Sequence, residues 1–148
     1  MKANTMLAAV IFLLLLGGVS YAGCGTDHKE GVMKTGEKVG VTNILYEEFM
    51  EIKRSGEDYV LLDALSVESY NKGHIEGARS MPLGSINEDT AAKAIGAKDA
   101  KVVVYCGSFM CPASTKAAEK LMSLGYTNVL DYKGGLQEWQ EKGNKLVN

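Results

Sequence analysis

Val102-Val103-Val104-Tyr105-Cys106-Gly107-Ser108-Phe109-Met110-Cys111-Pro112 decides how this chain is read. Its first four residues are β-branched or aromatic with no polar alternation, the pattern of a short strand covered on both faces. Pro112 suits the first position of a helix, because it lacks an N–H that would be unpaired there anyway. Ala113, Ala117, Leu121 and Leu124 follow at helical spacing, and Gly125 supplies a stop. Cys106 therefore opens a loop between the carboxyl end of a strand and the amino end of a helix. Free N–H groups and the positive end of the helix dipole favour a thiolate or a bound anion there, by about 0.3–1 kcal/mol at an exposed site. That setting lowers a cysteine pKa and predicts Cys106 as the more reactive thiol of the loop. The competing reading is a cysteine that serves only as a small buried hydrophobe.

Working outward, strands and helices alternate. Asn43 can cap a helix that carries Leu45, Phe49 and Ile52 on one face and stops at Gly56. Residues 59 to 62 form a short apolar strand. Ser66 can cap a helical turn running through Tyr70 to Gly73. Residues 79 to 82 read as a strand, 86 to 95 as a helix, 128 to 130 as a strand and 136 to 140 as a last helix. Such alternation implies right-handed crossovers and an α/β domain with a central, mainly parallel sheet flanked by helices. Ligands in such folds bind beyond the carboxyl ends of the strands, where Cys106 falls.

The amino-terminal part reads differently. Lys2 precedes an apolar run from Leu7 to Leu16, followed by Gly17-Gly18-Val19-Ser20-Tyr21-Ala22-Gly23-Cys24. This is the pattern of an export signal over residues 1–23, and export implies a periplasmic or cell-envelope location. Ser20-Tyr21-Ala22 suits ordinary cleavage, whereas Ala22-Gly23-Cys24 suits a lipoprotein signal in which Cys24 is acylated and anchors the chain to a membrane. A permanent span is the weaker alternative, because the stretch from Met6 to Ala22 is short and broken by glycines. Residues 24–38 are polar, glycine-rich and without periodicity, a flexible tether in which His28 has no partner ligand. Residues 39–148 are enough for one domain with its own core.

The 148 residues carry a formal charge of −2, and Arg54 and Arg79 are the only arginines, with no basic cluster. Nucleic acid is accordingly not an expected partner. No set of metal ligands or cofactor motif stands out. Three cysteines in an exported chain leave one thiol to be explained; lipid on Cys24 would leave Cys106 and Cys111 as a neighbouring pair.

Four landmarks, Leu61-Leu62-Asp63, Gly73-His74-Ile75-Glu76-Gly77-Ala78, Val103-Val104-Tyr105-Cys106, and Gly134-Gly135-Leu136 with Trp139, occur here in an order and spacing that resemble the rhodanese-like (sulfurtransferase) family. The resemblance runs from about Val41 to Gly143. It implies that Cys106 is the nucleophile, taking a sulfane sulfur from a small sulfur-containing donor and holding it as a persulfide for a thiol acceptor. It further implies that Gly107, Ser108, Phe109 and Met110 form the substrate-binding loop, and that Asp63, His74, Gly134, Gly135 and Trp139 are structural. The chain departs from the family in having Leu65 where active members commonly carry arginine, and in a loop without charge that is about two residues longer. Related phosphatases need an arginine near the end of that loop to clamp an oxyanion; Cys111-Pro112 stands there, which argues against phosphatase activity. Lys133 and Arg79 are the nearest cations, both expected at a solvated surface. Cys111 could attack the persulfide, releasing sulfide and leaving a Cys106–Cys111 disulfide. Two alternatives use the same residues: a thiol-disulfide redox protein, or a catalytically inactive rhodanese-like binding module.

Overall fold

The computed structural model describes residues 40–148. The expected signal sequence, Cys24, His28 and the tether lie outside the described residues. Strands β1 (Thr42–Ile44), β2 (Val60–Asp63), β3 (Ala78–Ser80), β4 (Val102–Tyr105) and β5 (Val129–Tyr132) alternate with helices α1 (Tyr46–Ser55), α2 (Val67–Lys72), α3 (Glu88–Ile95), α4 (Ala113–Ser123) and α5 (Gly135–Glu141). The strands form one sheet in the order β1-β5-β4-β2-β3, and every pairing is parallel. This is a single α/β domain of five parallel strands and five helices, with β4 at the centre.

The unbroken apolar run of β4 follows from that position. All four of its residues are buried, because successive side chains point to opposite faces and both faces are covered. Val102 and Val104 join Leu62, Ala117, Ala118 and Leu121 in a core under α3 and α4. Val103 and Tyr105 join Leu61, Phe49, Tyr132 and Trp139 in a second core under α1 and α5.

Three local expectations change. Asn43 does not cap α1; it lies in β1, paired with Asp131 of β5. Leu45 is the cap residue, with its N–H on Glu48 Oε2 at 2.8 Å. A three-residue edge strand has almost no periodicity to read, so pairing with β5 decides what local propensity could not. Pro112 is the residue before α4 rather than its first member, and α3 begins two residues late, capped by Asn87 Oδ1 accepting from the Thr90 N–H at 3.0 Å. Ser66 caps α2 by accepting from the Ser69 N–H, and Gly56 ends α1 in the left-handed region.

Candidate active site

The loop after β4 is held from two sides. At its start, the first turn of α5 donates two backbone N–H groups, Leu136 to the Cys106 carbonyl at 3.0 Å and Gln137 to the Gly107 carbonyl at 2.9 Å. This approach requires glycine. Gly135 has φ +55°, and a Cβ there would stand 2.2 Å from the Cys106 carbonyl oxygen. At its far end the loop closes a turn, the Cys111 N–H donating to the Ser108 carbonyl at 3.0 Å. Between them Phe109 is 49% and Met110 90% exposed.

Cys106 is fully buried. Its Sγ lies 3.2 Å from Ser114 Oγ in the first turn of α4 and 3.2 Å from the carbonyl oxygen of Cys111, to which the thiol can donate. Cys111 is half-buried, and both thiols are free. Their electrostatics invert the expectation from sequence. Burial pushes the Cys106 thiol up, with its hydrogen bond to Cys111 adding to the rise and the Ser114 hydroxyl and N–H opposing it. Burial also acts upward on Cys111, but is outweighed by the Cys106 thiol, the Gly107 and Ala113 N–H groups and the charge of Lys133, so its thiol falls below the ordinary range. The N–H groups at the start of α4 are thus divided, that of Ser114 serving Cys106 and that of Ala113 serving Cys111. The loop curls that side chain back over the first turn of α4 while packing covers Cys106. Of the two thiols Cys111 is therefore the more acidic.

Asp63 and His74 make no hydrogen bond to either thiol. Asp63, fully buried at the end of β2, pairs in register with Tyr105 and accepts the Leu65 N–H on Oδ1 at 2.9 Å. Its other oxygen has no partner. Burial holds its carboxyl above the usual range, against the Leu65 N–H, the Tyr105 hydroxyl and His74. His74 stacks on Tyr70 with centroids 3.8 Å apart, places Nδ1 3.0 Å from the Tyr70 carbonyl, and exchanges two backbone bonds with Val147 near the carboxyl end. Trp139 packs against Tyr46 and Phe49 and donates Nε1–H to the Lys145 carbonyl at 3.0 Å. Gly134 precedes the α5 turn that grips the loop.

The two nearby cations separate. Arg79 turns away, its guanidinium donating to the Ala94 carbonyl at the end of α3. Lys133 is not a solvated surface residue: its side chain is 22% exposed, and Nζ donates to Thr115 Oγ1 at 2.7 Å. Thr115 donates in turn to Asp131 Oδ2 at 2.6 Å, which lies 3.4 Å from Lys133 Nζ. Ser114, Thr115 and Asp131 were not read from sequence. Asp131 had a signal, since it is an acidic residue inside the otherwise apolar strand 129–132. Ser114 and Thr115 had none, because the first turn of any helix is commonly polar. Among the described residues, no three His, Cys, Asp or Glu side chains converge on a possible metal site.

A parallel sheet with a cysteine-led loop between its central strand and the following helix defines the class of protein. The rhodanese-like domain family matches residues 46–142, and the chain belongs to it. Thiosulfate sulfurtransferase PspE of Escherichia coli is 35% identical over 77 residues, 52% of this chain and 70% of that protein. A mitochondrial protein of Schizosaccharomyces pombe is 33% identical over 93 residues, 56% of this chain and 64% of its own length. A crystal structure of a Bacillus halodurans protein superposes with TM-score 0.63 and 30% identity, covering 74% of this chain and 77% of that one. Family and sulfurtransferase relatives together support a role in sulfur transfer.

Proposed function

We propose that this chain is an exported sulfurtransferase that accepts a sulfane sulfur on Cys106 as a persulfide, which Cys111 resolves. The observation that carries the reading is the pair of free thiols in one loop, with Cys106 Sγ 3.2 Å from Ser114 Oγ at the amino end of α4 and Cys111 the more acidic of the two. Cys111, when ionised, can take the Cys106 proton. The Cys106 thiolate then attacks the outer sulfur of a donor such as thiosulfate, so that a Cys106 S–S bond forms, the donor S–S bond breaks and sulfite leaves with the bonding pair. Backbone N–H groups suit the charge on the transferred sulfur. The thiolate of Cys111, once its proton is given up, attacks Cys106 Sγ; the Cys106–Cys111 bond forms, the bond to the outer sulfur breaks and hydrosulfide leaves. A small thiol reductant reopens the disulfide.

The experiment is to incubate the purified, reduced full chain with thiosulfate or a polysulfide and to measure the intact mass. A gain of one sulfur localised to Cys106 is expected. A loss of two hydrogens with no sulfur gained at any time would overturn the reading and favour the thiol-disulfide alternative, which the two free thiols of the loop also suit. Export, with lipid on Cys24, rests on the apolar run and on Ala22-Gly23-Cys24. Acyl chains contribute roughly 0.8 kcal/mol per buried methylene, so Cys24→Ser is expected to release the chain from membranes. A variant that still fractionates wholly with membranes would exclude the lipid.

A further inference from the structure

Cys106 Sγ has two unlike sides. On one, Ser114 in the first turn of α4 offers its hydroxyl at 3.2 Å, a group able to donate to an ionised sulfur. On the other stand two backbone carbonyl oxygens, that of Cys111 at 3.2 Å and that of Ser108 at 3.9 Å. A carbonyl only accepts, so these contacts require the proton to be on Cys106; a thiolate in the same place would face the negative end of a peptide dipole. Cys106 is also fully buried, and no donor molecule can touch its sulfur while the loop stands as it does.

The segment that carries those carbonyls is loosely held. Before it, the Gly107 carbonyl is fixed by the Gln137 N–H; after it, α4 begins at Ala113. Between them, among the described residues, the only backbone–backbone hydrogen bond of residues 108–111 joins the segment's own two ends, Cys111 N–H to the Ser108 carbonyl. Phe109 and Met110 already stand half or more in solvent, so moving them forfeits little buried apolar surface. Pro112 acts the other way: a proline keeps the residue before it out of the helical region, which restricts how the Cys111 carbonyl can turn. We propose that this loop is an autoinhibitory closure, in which the Cys111 carbonyl, held by Pro112, caps the Cys106 sulfur until residues 108–111 swing out and uncover it for a sulfur donor. The proposal rests on the reading of Cys106 as the sulfur acceptor. Burial, and then the hydrogen bond to the Cys111 side chain, push the Cys106 thiol up in the closed form, in keeping with a sulfur held protonated. Ser114 belongs to α4 and not to the moving segment, so it stays behind to meet the thiolate once the carbonyl has gone.

The test uses no sulfur donor, so its failure and a failure of sulfur uptake are told apart. Alkylate the reduced full chain with iodoacetamide at one mildly alkaline pH and assign each thiol by peptide mass. In the parent, Cys106 is expected to react roughly tenfold or more slowly than Cys111, because it must wait for a local opening; equal or faster labelling overturns the closure. Pro112→Ala frees the Cys111 carbonyl and should speed Cys106 labelling by roughly three- to tenfold. A folded Pro112→Ala variant with an unchanged Cys106 rate overturns the proposal. Should that variant fail to fold, the parent in dilute denaturant decides. Opening so short a segment exposes little surface, so Cys106 labelling should stay nearly flat while the chain remains folded. A rate that climbs with the full slope of global unfolding would mean that only unfolding uncovers Cys106, and it overturns the proposal.

Discussion

The two ends of the loop after β4 are only five residues apart and have opposite characters. The Cys106 end is buried, and two N–H groups of α5 fix its carbonyls. The Met110–Cys111 end turns outward, with Met110 almost fully exposed and Cys111 half-buried. One end is a rigid extension of the sheet, and the other is tied mainly to its own turn. The lesson is that a thiol's place in the sequence does not set its acidity. Burial raises the one at the strand end, while the Cys106 thiol, two N–H groups and a lysine distant in sequence together outweigh burial at the other.

The sharpest way to break this contrast is to remove each sulfur in turn. Cys106→Ser is expected to abolish the gain of one sulfur in the mass assay altogether, whereas Cys111→Ser should still gain it. If the serine at 106 leaves uptake intact, the two ends have been assigned the wrong way round.

Next in size is the rigid end itself. Gly135→Ala combines a positive φ with a Cβ pressed onto the Cys106 carbonyl, and α5 must retreat, taking the Leu136 and Gln137 bonds with it. A loss of about 2 kcal/mol or more in denaturant unfolding is expected, with sulfur uptake falling in parallel. An unchanged midpoint would mean that α5 does not fix this end.

Cys111→Ser addresses the looser end. It should lengthen the lifetime of the Cys106 persulfide and reduce sulfide release in a single turnover, because the intramolecular attack is gone. Melting of the reduced protein should move little. An unchanged lifetime would remove the resolving role.

A smaller effect concerns Asp63, which neighbours the rigid end. Its carboxyl is raised in the folded protein by burial, so its contribution to stability is fully present below the unfolded carboxylate range and is lost as pH rises through the raised folded value. Asp63→Asn cannot titrate. Unfolding measured from acid to neutral pH should therefore show the variant gaining on its parent as pH rises, and a gain on acidification instead would reverse the sign. Smallest of all, Met110→Ser at the exposed tip should change stability by no more than about 0.5 kcal/mol, which calorimetry can check.

Sequence alone determined the fold class, because its signals are local and repeated. A continuous Val-Val-Val-Tyr run means a strand covered on both sides, and Ser66, Gly56 and Gly125 mark helix ends through backbone chemistry that needs no distant partner. It also singled out Cys106 and Cys111 as the chemical pair, by placing them between a strand and a helix. It missed β1, since three residues carry no period and that strand exists only through pairing with β5. What tertiary structure decided is the state of the site. Which thiol is the more acidic depends on how a neutral loop curls, on Ser114 in the first turn of α4, and on Lys133, held at that turn from the end of another strand by Thr115 and Asp131. Acidity is set by burial and by charges within a few ångströms, and these neighbours are far apart along the chain and meet only when the sheet closes.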